Sequence, residues 1–189
     1  ERGSRHISSQ KAILEELRAR GFASETVPAW IEERELEGYA LADRVVVPSA
    51  HVEQSFKEQG FPSEKLFRNP YGVDLLEFPP TPAPTGMPTI LFVGAWSYRK
   101  GVDVLVEAWR QLGHVRLLHV GAVVDAPLPS DENFTHVDAV AQSRLRDYYA
   151  KAHVFALASR EEGLALVQAQ ALASGLPLVC TGRTGGEDL

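Results

Sequence analysis

The sequence predicts an α/β protein built on a doubly wound, mostly parallel sheet. Five apolar runs, Thr89–Val93, Val115–Val120, Phe134–Val137, His153–Leu157 and Leu176–Cys180, are continuous rather than alternating, as strands covered on both faces are. Most of them alternate with helical stretches, Val102–Leu112, Ser143–Lys151 and Leu164–Ser174. In such a fold the ligand sits outside the carboxyl ends of the strands, so the strand-to-helix turns are where chemistry is expected. The chain has 189 residues, 44% hydrophobic and 23% charged, enough for one full domain or one with a fragment of another.

Taken in order, residues 1 to 41 read as a pair of amphipathic helices. Ile13, Leu14 and Leu17 recur at helical spacing, and Trp30, Ile31, Leu36 and Leu41 follow Pro28. The β-branched run Val45–Val47 is a strand, Ser49 an N-cap, and Gly60 the stop of a helix running to about Gln59. A weak strand lies near Lys65 to Phe67. The stretch Phe78-Pro-Pro-Thr-Pro-Ala-Pro-Thr-Gly86 holds four of the twelve prolines, which stiffens it as an extended linker. The expected division is therefore residues 1–80, then residues 81–189 as a regular α/β domain. The chain opens at Glu1 and stops at Leu189, which reads as a piece of something longer.

Composition excludes several classes. Nineteen Lys and Arg against 25 Asp and Glu leave a net charge of −6, which gives no footing for a general nucleic-acid binder. The single cysteine, Cys180, makes no internal disulfide and suits a reducing compartment. No stretch approaches the roughly 18 unbroken apolar residues of a membrane span, and no charged-then-apolar signal opens the chain. The expectation is a soluble, cytoplasmic protein. Neither Asp131-Glu132 nor the six scattered histidines form a metal-ligand cluster, so no metal and no cofactor are expected, and these residues read as surface and packing groups.

Two turns carry the chemistry. In Val93-Gly-Ala-Trp-Ser-Tyr-Arg-Lys-Gly-Val-Asp103, Gly94 and Gly101 permit close backbone approach, Lys100 adds a point charge, and the following helix aims its N–H groups at the same spot. An anion belongs there, a diphosphate above all. The spacing is neither that of a P-loop nor that of a dehydrogenase fingerprint. In the second turn, Ser159-Arg-Glu-Glu-Gly163, Gly163 is expected to open an alanine-rich helix that stops at Gly175. Its first amides suit phosphate, while Glu161 and Glu162 can accept from hydroxyls. Gln170, eight residues after Glu162, is expected near the same ligand edge, and both turns are expected to serve one pyrophosphate. The blander readings are a solvated Arg99–Lys100 loop and two glutamates that merely complement a helix dipole.

With Leu118-His-Val-Gly121, Tyr148-Tyr-Ala-Lys-Ala-His-Val-Phe155 and Ala171-Leu-Ala-Ser-Gly-Leu-Pro-Leu-Val179, these turns resemble the carboxyl-terminal domain of family four of the retaining glycosyltransferases, which has the GT-B fold. Ala42-Asp-Arg-Val-Val-Val-Pro-Ser49, Tyr71-Gly-Val-Asp74 and Thr184-Gly-Gly-Glu187 fall in the same order, so the resemblance covers nearly everything from Leu41 on; Glu1–His6 match more weakly. It implies two Rossmann-like domains, residues 1–80 being the tail of the acceptor domain with the linker and residues 81–189 the domain that holds a nucleoside-diphosphate sugar, its carboxyl-terminal end missing. Lys100 would neutralise the diphosphate, helped by Arg99. Glu162 would accept from hydroxyls of the donor sugar. The Gly94–Ala95 turn, Gly163 and the amides of Leu164, Ala165 and Leu166 would bind phosphate. Val137, Asp138 and Val140 fall where the nucleobase lies, and Gln170 where a second glutamate meets the ribose. The arginine common after the first glycine is Ala95 here. Retention in this family is thought to need no pair of enzyme carboxylates, because the leaving phosphate takes the acceptor proton; Lys100 and Glu162 carry the reaction electrostatically.

The leading expectation is thus a retaining glycosyltransferase, present as a fragment that binds nucleotide and turns over little sugar, with an unknown sugar, lipid or polysaccharide acceptor. One alternative is a non-catalytic nucleotide-binding or interaction module on the same fold; another is a phosphorylase or nucleotide-sugar epimerase. The helices of residues 4–41, lacking a partner sheet, would expose apolar stripes that offer a route to self-association. Trp30, Trp96 and Trp109 read as core or cleft-edge aromatics, Cys180 as a buried small residue, and Tyr148 and Tyr149 as packing residues.

Overall fold

The computed structural model describes residues 4–23 and 26–189, so the first three residues of the weak Glu1–His6 match lie outside it. The chain divides into two compact units. One is the chain up to Tyr71 with Arg160–Ala165 and Gly182–Leu189; the other is Gly72–Ser159 with Leu166–Thr181.

The first unit contains α1 (Ile7–Ala19), α2 (Ala29–Leu41), β1 (Val45–Val47), α3 (Ala50–Glu58) and β2 (Leu66–Arg68), and β1 and β2 pair in parallel. Its core is Ile7, Tyr39, Val45, Val47, Val52 and Phe56. Ser49 caps α3 by accepting from the Val52 N–H, and Gly60 closes it in the left-handed region at φ 77°. The stripe of α1 is buried at Ile13, Leu14 and Leu17. That of α2 is not: only Tyr39 is buried there. Trp30, expected as a core or cleft-edge aromatic, is 60% exposed, with the Arg34 guanidinium over its ring. The apolar residues of α2 do not recur on one face, which is why this helix buries so little.

The second unit is a five-stranded, all-parallel sheet: β3 (Thr89–Val93), β4 (Arg116–Val120), β5 (Phe134–Val137), β6 (Val154–Leu157) and β7 (Leu178–Cys180), in the order β5-β4-β3-β6-β7. Helices α4 (Val102–Gln111), α5 (Gln142–Tyr149) and α6 (Leu166–Ala173) follow β3, β5 and β6. The central strand β3 is buried at all five residues, as a covered parallel strand must be. The two outer strands are only half-buried, so the continuous runs at Phe134–Val137 and Leu178–Cys180 mark sheet edges rather than doubly covered strands. Cys180 is accordingly half-exposed instead of buried. The proline stretch is tied to this unit, with Phe78 buried and the Thr81 N–H donating to the Ser174 carbonyl. No helix among the described residues is long and apolar enough to cross a membrane.

Candidate functional site

The strand order places a switch point between β3 and β6. The chain leaves β3 for β4 on one side and leaves β6 for β7 on the other, while β3 and β6 themselves are paired at Ile90↔Val154 and Leu91↔Phe155. Outside their carboxyl ends a doubly wound sheet opens its ligand crevice. The turn that follows β3 is Gly94–Gly101. Ser97 caps a single 3-10 turn, Tyr98–Lys100, and Gly101, left-handed at φ 69°, hands the chain to α4. A Cβ on Gly101 would lie 2.7 Å from the carbonyl carbon of Ala158 and closer still to its oxygen. The turn is therefore seated directly on the first residue after β6. Arg99 and Lys100 are half-buried on it, at the helix end whose unpaired N–H groups and dipole favour an anion.

The turn is held from one side by the strand β4 and the segment that follows it. The Gly94 N–H donates to the Val120 carbonyl at 3.0 Å and the Trp96 N–H to that of Ala122 at 2.8 Å, while Val124 returns a bond to the Trp96 carbonyl. The Tyr98 N–H donates to the Asp125 carboxylate at 2.9 Å. Trp96 is fully buried, packs on Phe92, His119 and Phe134, and donates its indole N–H to the Pro127 carbonyl. It is a core anchor of the turn rather than a stacking platform for a ligand. Trp109 is likewise core, its indole N–H on the Val115 carbonyl.

His119 was not marked as a site residue by its sequence, and here the packing reading is incomplete. Its ring is fully buried and its Nε2 lies 2.9 Å from the Gly94 carbonyl. The Nδ1 atoms of His119 and His136 are 2.9 Å apart. Burial pushes the His119 imidazole down to about 4, with the neighbouring His136 adding to the fall and the Gly94 carbonyl opposing both.

Val137, Asp138 and Val140 begin where β5 ends, at the same carboxyl edge of the sheet; the Val137 carbonyl accepts from the Gly121 N–H, and Asp138 is exposed. Gln170 lies on α6, buried, its Oε1 accepting from the Tyr149 hydroxyl at 3.0 Å. Burial raises the Tyr149 hydroxyl well above the usual phenol range, so it remains a donor.

The acidic turn falls in the other unit. Glu161 is fully buried and accepts from the Gln10 side chain at 3.4 Å. The Glu162 N–H donates to the Arg183 carbonyl, and the Gly163 carbonyl accepts from the Ser49 hydroxyl at 2.9 Å. These bonds keep the segment out of the helix. Helix α6 starts at Leu166, so Gly163, Leu164 and Ala165 precede it, and the expected helix start at Gly163 is corrected. Lys100 and Glu162 thus belong to different units.

Two concavities of about 600 and 560 Å³ open in the sheet unit, one beside Arg116 and Lys151 that reaches Val137, the other alongside α4 under Pro127 that includes Trp96 and Tyr98 of the turn. Neither includes Lys100, so the site is assigned by topology and turn geometry rather than by depth. Among the described residues no three His, Cys, Asp or Glu side chains are grouped to hold a metal.

Residues 87–189 match the family model described as Glycosyl transferases group 1. The GDP-mannose-dependent alpha-mannosyltransferase of Mycobacterium tuberculosis is 33% identical over 172 residues, which span 85% of this chain and 44% of that protein. The D-inositol 3-phosphate glycosyltransferase of Xylanimonas cellulosilytica is 31% identical over 170 residues, 74% of this chain and 40% of that one. Among solved structures, sucrose-phosphate synthase from Thermosynechococcus elongatus superposes with a TM-score of 0.66 at 25% identity, over 81% of this chain and 45% of that chain. HepE from Anabaena, in complex with UDP and glucose, superposes with a TM-score of 0.68 at 16% identity, over 86% and 52%. The chain thus spans less than half the length of both of these sequence relatives.

Proposed function

The chain belongs to the glycosyl transferases group 1 family, and from that premise we propose that it carries the donor-binding part of a retaining glycosyltransferase that uses a nucleoside-diphosphate sugar. The observation that carries the proposal is the seating of the Gly94–Gly101 turn at the β3/β6 switch point, with Lys100 beside the start of α4. Breaking a bond between a sugar and a diphosphate leaves an oxocarbenium-like sugar and an anionic leaving group. A cation and aimed main-chain donors at the phosphates stabilise charge where it develops.

In this reading Lys100 and Arg99 neutralise the diphosphate, the turn at Gly94 and Ala95 supplies a main-chain donor, and Val137, Asp138 and Val140 border the nucleobase. Gln170 meets the ribose through its amide NH₂, since its Oε1 is occupied by Tyr149. The amide of Leu166, the first residue of α6 in the same unit as Lys100, assists the phosphates. The departing phosphate takes the acceptor proton, so no metal and no second carboxylate is required. Spanning less than half of its relatives, the chain by itself binds nucleotide and transfers little sugar.

Calorimetry of the full chain against UDP, GDP and ADP tests the proposal. One of the three is expected to bind selectively, and Lys100→Ala to weaken it by about 10- to 100-fold, the scale of a charge-assisted contact to phosphate. Equal indifference to all three nucleotides would favour a non-catalytic module on the same fold.

A further inference from the structure

Across β3, β4 and β5 the ladder sets Phe92 opposite His119 and His119 opposite His136. The three rings stack in a row, with centroids 5.4 and 4.9 Å apart and planes within 26° and 22°. Trp96 packs against the same histidine at 4.7 Å. The orientation of the His119 ring is therefore fixed by its neighbours. Its hydrogen bonds then fix its proton. A carbonyl only accepts, so the Nε2 that faces the Gly94 oxygen at 2.9 Å carries the hydrogen. The Nδ1 of the neutral ring is left as an acceptor, and the His136 Nδ1–H donates to it at 2.9 Å. The other nitrogen of His136 lies 3.4 Å from Asp138. Burial, which keeps His119 neutral near pH 7, is consistent with this tautomer.

The bond to Gly94 replaces a ladder bond. The Gly94 N–H continues the parallel ladder to Val120, and the chain then swings at Gly121, at φ 151°, so that its Cα lies against the Gly94 carbonyl. A side chain at Gly121 would overlap that carbonyl and come within 3.2 Å of His119 Nε2. Gly121 is what lets the imidazole reach the strand end. In a trans peptide the C=O and the following N–H point in opposite directions. With the Gly94 oxygen turned toward His119, the Ala95 N–H at the carboxyl end of β3 is turned away from it. Among the described residues no backbone carbonyl accepts from it.

We propose that His119 is a positioning residue for the donor diphosphate: by holding the Gly94 carbonyl it aims the Ala95 amide at the phosphate, at the position where the family resemblance leads one to look for an arginine. The inference rests on the reading of this turn as the diphosphate site. His136 in turn lies beside Asp138, in the segment read as the nucleobase border, so the histidine pair spans from the diphosphate turn to that segment.

Three variants of the full chain separate positioning from packing. His119→Phe keeps the stacked ring and removes the donor; it is expected to weaken the nucleoside diphosphate that the wild type binds by about tenfold, the loss of one aimed hydrogen bond, and to leave the matching nucleoside unchanged. His119→Gln, whose side-chain N–H reaches the Nε2 position, is expected to recover affinity to within about threefold of wild type. Lys100→Ala weakens the diphosphate in the same assay and serves as the control for the site. In the free wild-type protein, ¹⁵N spectra of the imidazoles are expected to show His119 protonated at Nε2. Equal weakening of nucleoside and diphosphate by His119→Phe, no weakening at all, or an Nδ1–H tautomer would overturn this inference alone. A wild type that binds no nucleoside diphosphate would overturn the donor reading, and the inference with it.

Discussion

Gly101→Ala is expected to destabilise the protein by more than about 3 kcal/mol, lowering the melting temperature by roughly 10 °C in a chain of this size. Two costs add. Gly101 sits at φ 69°, where a side chain is strained, and its Cβ would meet the Ala158 backbone, 2.7 Å from the carbonyl carbon. Backbone at the end of an inner strand cannot retreat as the end of a flexible side chain can. Gly113→Ala provides the comparison: it has a similar φ of 74° with nothing within 4 Å of the added carbon, so it carries the conformational cost alone, about 1 kcal/mol. Thermal unfolding of the two variants side by side measures the clash itself. Equal losses would mean that the turn after β3 does not lie against the end of β6.

Acidification supplies the second large effect. His119 titrates near 6.5 when unfolded and near 4 in the folded chain. Between those values the unfolded state binds the additional proton, so folding stability is present above pH 6.5 and is lost as the pH falls toward 4. A shift of this size corresponds to about 3 kcal/mol. His51, in the other unit, is also lowered, chiefly by burial and then by the nearby Arg5, and it contributes in the same direction. The difference between wild type and His119→Phe isolates His119: urea midpoints of the variant should fall less steeply between pH 6.5 and 4 than those of the wild type. Parallel pH profiles would mean that His119 is not held neutral.

How much of this was legible in the sequence follows from which interactions are local. The run Thr89–Val93 reads as a buried strand because four consecutive apolar residues, Ile90–Val93, are best covered on both faces, and its burial agrees. Ser49 and Gly60 mark the ends of α3 through short-range hydrogen bonding and a left-handed glycine. Strand order is not local. That β5 and β7 are edges, and so half-buried, depends on which way each crossover turns, and the apolar runs alone do not distinguish an edge from a centre. The start of α6 was misread for a similar reason: Gly163-Leu-Ala-Leu looks like a helix entry, but Glu162 is bonded to Arg183 and Gly163 to Ser49, residues remote in sequence.

Within the site, the Gly94–Gly101 turn was legible from its glycines, its lysine and its place between a strand and a helix. His119 was not. Its role needs three facts that only the fold supplies: the β4–β5 register that sets it opposite His136, the swing at Gly121, and the inward carbonyl of Gly94. The available hint was positional. His119 and His136 each precede the last residue of their strands, where a polar ring among apolar residues faces the carboxyl edge.

The most direct test of the account is an amide chemical-shift map of the ¹⁵N-labelled chain titrated with the nucleoside diphosphate it prefers. The Ala95 and Gly101 amides are expected to shift most, together with those of Val137–Val140, at a common dissociation constant. Shifts confined to the groove beside Arg116 and Lys151, with Ala95 and Gly101 unmoved, would contradict it.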